Sequence, residues 1–319
     1  MRVLVTGSSG FVGAKLLQTL AKKKHVDVLA ATRREPIDCF TPARVLKNCV
    51  VSATMDWTAH LVDVNVVIHT AARAHIMNDA APNPLEAFRA VNVQGTIRLA
   101  EQAAEMGVSR FIFISSVKVN GEETFDGEAY TPDAAPAPVD PYGVSKMEAE
   151  TELKTLAERT GMEIVIIRPV LVYGPGVKAN FLKMMQWIDK GVPLPFGAIN
   201  NSRSLVALDN LVDLIVLCMD HPGAANQTFM VSDDEDLSSS ELMRRMAQAL
   251  NKPARLLPVP ARLITLCAHL VRKPAISQRL CGSLKVDIRK TREVLGWKPV
   301  VTVESALKEV AAHFQENRK

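Results

Sequence analysis

Apolar residues run in short β-branched blocks through the first half of the chain: RVLVTG, VDVLAAT, NCVVSATM, VNVVIHTAA, SRFIFISS and EIVIIRP. Continuous blocks of this kind mark strands buried on both faces. Between most of them the period lengthens to that of an amphipathic helix, in FVGAKLLQTLAKK, EAFRAVNVQGTIRLAEQAAEMG and SKMEAETELKTLAERTG. Such alternation predicts an α/β chain with a doubly wound parallel sheet and right-handed crossovers. Ligands of such sheets bind beyond the carboxyl ends of the strands, so the residues after each strand are the ones to read.

After Pro169 the elements shorten and prolines multiply, as in PVLVYGPGVKANF, PLPFGAINNSR, LLPVPARL and KPAISQRLCGSL. Two units are expected: a sheet unit over 1–170, to which the helix LDNLVDLIVLCM and the strand TFMVS of 205–232 return, and a smaller, irregular unit over 171–204 and 233–319. No internal repeat stands out.

Composition narrows this picture. With 319 residues the chain can bury a full core without disulfides or a structural metal. Its five cysteines are scattered and never in CxxC spacing, as expected of thiols in a reducing compartment. Net charge is +4 with acids and bases interleaved; Lys22, Lys23 and Lys24 sit where a first helix should end, which its dipole favours, so nucleic acid is not implied. The longest apolar stretch, LVALDNLVDLIVLCM, is broken by Asp209 and Asp213, and the N-terminus lacks a signal-peptide pattern, so no membrane span and a cytoplasmic location are expected. ARLITLCAHLVRK (261–273) is amphipathic and basic-tipped, a packed helix or one that rests on a membrane surface.

Directly after the first strand comes GSSGFVG, with Gly7, Gly10 and Gly13 opening a helix. Glycine permits the tight turn and the close approach of backbone to a pyrophosphate, while free N–H groups at Gly7, Ser9, Gly10, Phe11 and Val12 and the helix dipole favour its charge. The second strand ends in Ala30-Ala31-Thr32-Arg33-Arg34, with no acid to bind a ribose 2′-hydroxyl. Arg33 and Arg34 therefore suit the 2′-phosphate of NADP, or are two solvated arginines. Pro141-Tyr142-Gly143-Val144-Ser145-Lys146 puts Tyr142 and Lys146 one helical turn apart, where the ammonium is expected to lower a phenol that titrates ordinarily at about 10. Ser116, at the end of SRFIFISS, offers a hydroxyl to orient a substrate oxygen.

The TGxxGxxG turn and the Ser–Tyr–Lys set resemble the short-chain dehydrogenase/reductase superfamily. HTAARAH, Asn92-Val93-Gln94-Gly95-Thr96, PYGVSK, RPVLVYGPG and LGWKP extend the resemblance along the chain, to the NAD(P)-dependent epimerase/dehydratase branch that works on nucleotide sugars. The resemblance implies a Rossmann-type dinucleotide-binding unit over 1–170, a substrate-binding C-terminal unit, catalytic Ser116, Tyr142 and Lys146, and a homodimer through the helices of 85–106 and 143–160. It also implies a cofactor, NADP or NAD, held by Ala71, Ala72 and Lys146 besides the glycine turn. Asp56 matches the acid at the adenine amino group, or caps a helix. Asn180 and Arg203 match positions that hold the diphosphate of a UDP-sugar; a helix cap and a surface charge are the alternatives.

In the 4,6-dehydratases of this family the catalytic hydroxyl is followed by Asp-Glu; here those places hold Val117 and Lys118, neither of which is a carboxylate base. Redox at a single ring carbon, C4, is the remaining chemistry. SSVKVNGE, KANF and NSRSLV look most like reductases of a UDP-4-keto-6-deoxy-N-acetylhexosamine that serve surface polysaccharide, with UDP-glucose/UDP-N-acetylglucosamine 4-epimerases next and a non-catalytic NADP-binding sensor or scaffold third. Lys118 is expected to face the sugar, or to be a solvated loop lysine.

Overall fold

The computed structural model describes residues 1–33, 43–74, 82–125, 127–270, 278 and 280–318; the side chains of 268 and 269 are not among them. Seven strands form a parallel sheet: β1 (Arg2–Thr6), β2 (Asp27–Ala31), β3 (Arg44–Leu46), β4 (Val66–His69), β5 (Arg110–Ile114), β6 (Glu163–Pro169) and β9 (Thr228–Val231), in the order β3-β2-β1-β4-β5-β6-β9. The chain leaves β1 in one direction and returns through β4 in the other, so a crevice opens between the carboxyl ends of these two strands.

Alternation along each strand divides its apolar residues between two layers. Val3, Val5, Ile112 and Ile114 face a core shared with α1 (Phe11–Leu20) and α6 (Leu208–Leu217). Leu4, Phe111 and Phe113 face the opposite core, shared with α3 (Thr96–Glu105) and α4 (Pro141–Thr160). A third core lies in a smaller unit, where β7 (Leu171–Tyr173), β8 (Arg203–Ala207) and β10 (Asp236–Leu237) form a separate sheet. Around them stand α5 (Ala179–Asp189), α7 (Ser239–Ala249), α8 (Ala261–Leu270), α9 (Arg289–Leu295) and α10 (Val303–Glu316). Of the segment 205–232, α6 and β9 lie with the large sheet, while β8 stands in the small one.

Two sequence expectations are corrected. NCVVSATM is not a strand: the third strand is Arg44–Leu46, and Asn48 then takes a left-handed φ of 60° that breaks the extended run. Thr32 N–H still donates to Leu46 O and Cys49 N–H to Thr32 O, which keeps the chain alongside β2 without a further ladder. The helix expected over EAFRAVNVQGTIRLAEQAAEMG is interrupted: α2 (Pro84–Arg89) passes into a π-helical turn, Ala90–Gly95, before α3 begins. A Cβ at Gly95 would lie 2.7 Å from Val51 Cγ1 and 2.9 Å from Ser52 N. Gly95→Ala is therefore expected to destabilise the fold by about 1–3 kcal/mol, as overpacking does, read as a lower denaturant midpoint at unchanged slope.

Candidate active site

The crevice is floored by the turn after β1. Gly7 has φ +69°, and a Cβ there would stand 2.6 Å from Ala71 N, so the turn lies directly against the chain leaving β4. A Cβ at Gly13 would lie 2.2 Å from Gly7 O, which closes this place to every other residue. Gly10 caps α1 without a side-chain hydrogen bond, and Ser9 and Gly10 are exposed. First-turn N–H groups are thus open to an anion, at the end of a helix dipole that favours one, and with Phe11 and Val12 half-buried behind them this donor set fits a dinucleotide pyrophosphate. Ala71 and Ala72 border the same crevice, and Arg33 is exposed just past β2; Arg34 lies outside the described residues. Asp56 uses its carboxylate locally, accepting from Thr58 N–H at 3.0 Å and Thr58 Oγ1 at 2.6 Å, which holds its pKa below the usual range.

The second wall is α4. Asp140 caps it by accepting from Gly143 N–H at 2.7 Å, and Pro141 supplies the first-turn residue that needs no donor partner. Ser116, at the exit of β5, accepts from Lys118 N–H at 3.2 Å and lies near enough to Tyr142 to lower its phenol. Lys146 is buried, donates to Ile114 O at 2.8 Å and lies 4.3 Å over the Phe113 ring. Burial brings its pKa down to about 7, opposed by the charge of Glu150. Tyr142 does not follow the expectation set by its spacing from Lys146. Its phenol is pushed up, first by burial and then by Asp140, and the group that lowers it is Ser116. The lysine ammonium is engaged by a carbonyl and an aromatic face instead.

Lys118 has two carboxylate partners. Its Nζ pairs with Glu122 Oε1 at 2.6 Å and with Asp140 Oδ2. Neither earlier reading of this residue anticipates that: one ammonium ties the Ser116 turn to the cap of the Tyr142 helix. Arg203, at the start of β8, donates to Gly282 O at 2.9 Å; burial lowers its pKa, and Glu123 and Glu122 raise it. Asn180 is exposed in the first turn of α5.

Sequence reasoning gave no role to a buried network behind these groups. Asn92, in the π-helical turn, accepts from Arg73 N–H at 2.8 Å and donates to Arg73 O at 3.1 Å and Ser145 Oγ at 3.0 Å. Glu150 accepts from Ser115 Oγ at 2.5 Å and pairs with Arg168, whose Nη1 donates to Asn120 Oδ1 and Pro132 O. A carboxylate one turn beyond Lys146 and an arginine inside the apolar strand EIVIIRP were the available signals, because charges are buried only when paired.

The sequence pattern of the NAD dependent epimerase/dehydratase family matches residues 3–232. The chain belongs to that family. A UDP-glucose 4-epimerase of Vibrio cholerae is 49% identical over 313 residues, 98% of this chain and 95% of the relative. Among solved structures, the UDP-glucuronic acid 4-epimerase of Bacillus cereus in complex with NAD superposes with a TM-score of 0.80 at 21% identity, over 100% of both chains. The UDP-glucose 4-epimerase of Thermotoga maritima with UDP-glucose gives a TM-score of 0.79 at 21% identity, again over 100% of both. At that identity these two show the Rossmann-like fold of the epimerase/dehydratase family.

Burial and the charge of Asp140 hold the Tyr142 phenol up. Lys118 pairs with that carboxylate, so removing the ammonium would leave the Asp140 charge uncompensated. In the cofactor-loaded protein Lys118→Met is expected to move the acid limb of the pH–rate profile up by about one unit, and Asp140→Asn, which keeps the cap, to move it down. Lys118→Arg should restore the native profile, and three superposable profiles would detach Lys118 from the tyrosine.

Proposed function

We propose that this chain is a nucleotide-sugar 4-epimerase that interconverts UDP-glucose and its C4 epimer. The observation that carries the reading is its 49% identity, across nearly all of both chains, to the Vibrio cholerae UDP-glucose 4-epimerase. The reductase favoured by the sequence motifs becomes the second reading.

In this reading the turn of Gly7, Ser9, Gly10, Phe11 and Val12 would hold the pyrophosphate of a nicotinamide cofactor, which would supply reversible hydride transfer at C4. Tyr142, once ionised to the phenolate, takes the proton of the C4 hydroxyl as hydride leaves C4 and becomes the phenol, and the phenol gives that proton back to the same oxygen when hydride returns to the opposite face of the keto-sugar. Ser116 Oγ hydrogen-bonds that oxygen and the phenol together, which favours the phenolate while the proton is away. Lys146 is anchored on Ile114 O, and burial brings its pKa down toward the neutral range. Asn180 and Arg203 offer neutral and charged donors to the diphosphate. Water elimination across C5 and C6 finds no base in the Ser116 turn, since Val117 is buried and the Lys118 ammonium is ion-paired.

The second reading is reduction of a UDP-4-keto-6-deoxy-N-acetylhexosamine with NADPH. Arg33 supports it, standing exposed past β2, with no acid among the described residues 30–33 at the end of this strand. Incubation with UDP-glucose and no added cofactor, followed by proton NMR, is expected to reveal UDP-galactose. NADPH consumption with the keto-sugar, and no interconversion of UDP-glucose or UDP-N-acetylglucosamine, would reverse the order. Tyr142→Phe should cost about 10²–10⁴ in turnover while cofactor binding persists, and retained turnover would move the proton transfer to another group.

A further inference from the structure

Helix α8 turns large apolar side chains in two directions. Ile264 packs on the core of the smaller unit, whereas Leu263, Leu266 and Leu270 are 51%, 56% and 75% exposed. Spacings of three and four put those leucines on one strip of the helix. The apolar surface continues beyond the start of α8. Leu257 is 51% exposed, and its N–H donates to Leu194 O, which joins it to the loop after α5; Trp187 in the last turns of α5 and Val192 in that loop are each 40% exposed. Several large apolar side chains exposed on segments that adjoin one another mark a docking surface.

The charge around it is one-sided. Segments 178–200 and 251–270 carry six lysines and arginines and a single carboxylate, Asp189. That carboxylate is already paired with Lys252 and Arg318, while Lys190, Arg255 and Arg262 are exposed. A second copy of the chain packed on this face by a two-fold axis would oppose cation to cation. Anionic lipid headgroups complement it, with leucine and tryptophan at the acyl boundary and Lys/Arg in the headgroup plane. No described helix is long and apolar enough to cross a membrane, so the contact is with one leaflet.

We propose that the face formed by α8, the 255–257 segment and the loop after α5 is a peripheral docking surface for an anionic bilayer. It goes beyond the epimerase reading and stands without it.

The test is co-sedimentation of the full chain with vesicles of phosphatidylcholine alone and of phosphatidylcholine mixed with an equal amount of phosphatidylglycerol. Binding to the mixed vesicles, released by salt, is expected. The double variants Leu266→Asp/Leu270→Asp and Arg255→Glu/Arg262→Glu should each bind at least about tenfold more weakly. Melting temperature should stay the same in both, because all four side chains are exposed. The proposal is overturned if the native chain ignores the mixed vesicles or binds both kinds alike, or if both variants bind as the native chain does. It also falls if Leu266→Asp/Leu270→Asp lowers the solution mass, since a second copy would then be the occupant.

Discussion

Arg168 and Glu150 face each other from β6 and α4 with side chains only 2% and 3% exposed. Burying two charges costs several kcal/mol per ion unless their remaining hydrogen-bonding capacity is used. Here it is used: Glu150 accepts from Ser115 and from both Nε and Nη2 of Arg168, and Arg168 Nη1 reaches Asn120 and Pro132. A one-residue slip of α4 along the sheet would leave both ions unpaired in the core, so the pair fixes one docking of the helix rather than adding much net stability. The site follows from that docking. With Ser115 turned inward onto Glu150, strand alternation sends Ser116 to the crevice side. Lys146 and Tyr142, one and two turns before Glu150, stand on the face of α4 that meets it.

The same helix carries an electrostatic conflict. Asp140 caps α4 two residues before a tyrosine whose ionisation its charge opposes. An uncharged cap would avoid that. The structure instead balances the carboxylate with Lys118, so capping, the link to the Ser116 turn and partial neutralisation fall on one ion pair. Glu122 then shares Lys118, and it also acts on Arg203. Charges from the turn after β5 to the start of β8 are therefore coupled, and an anion held at Arg203 would be felt at the cap of α4.

What was legible in the sequence is what local backbone chemistry determines. The glycine turn could be read because each glycine answers a steric demand, a left-handed φ at Gly7 or a contact at Gly13 that no Cβ survives. The strands could be read because both faces are buried and the apolar runs are unbroken. The third strand was misplaced because Val50 and Val51 look like strand residues, while the left-handed turn at Asn48 comes from an asparagine that tolerates it without requiring it. The π-helical turn leaves no local mark beyond Gly95, whose meaning depends on Val51 being packed against it. The partners of Lys118 lie at Glu122, in helical spacing, and at Asp140, brought there by the fold; only the first was open to inspection in the sequence.

The Ser116 turn also limits what chemistry the fold can perform. Its two residues after the serine are spoken for: Val117 fills core between the sheet and α6, and Lys118 is bound to the helix cap. Placing carboxylates there would require an ionised group in that core and a like charge beside Asp140 and Glu122. Packing and electrostatics together thus work against a carboxylate at either of these two positions. A serine and a tyrosine close enough for one to lower the other's phenol can move a proton on and off a single oxygen. In the proposed reading that is sufficient for oxidation and reduction at one ring carbon, and it would leave the stereochemical outcome to how the sugar is presented rather than to any further acid or base.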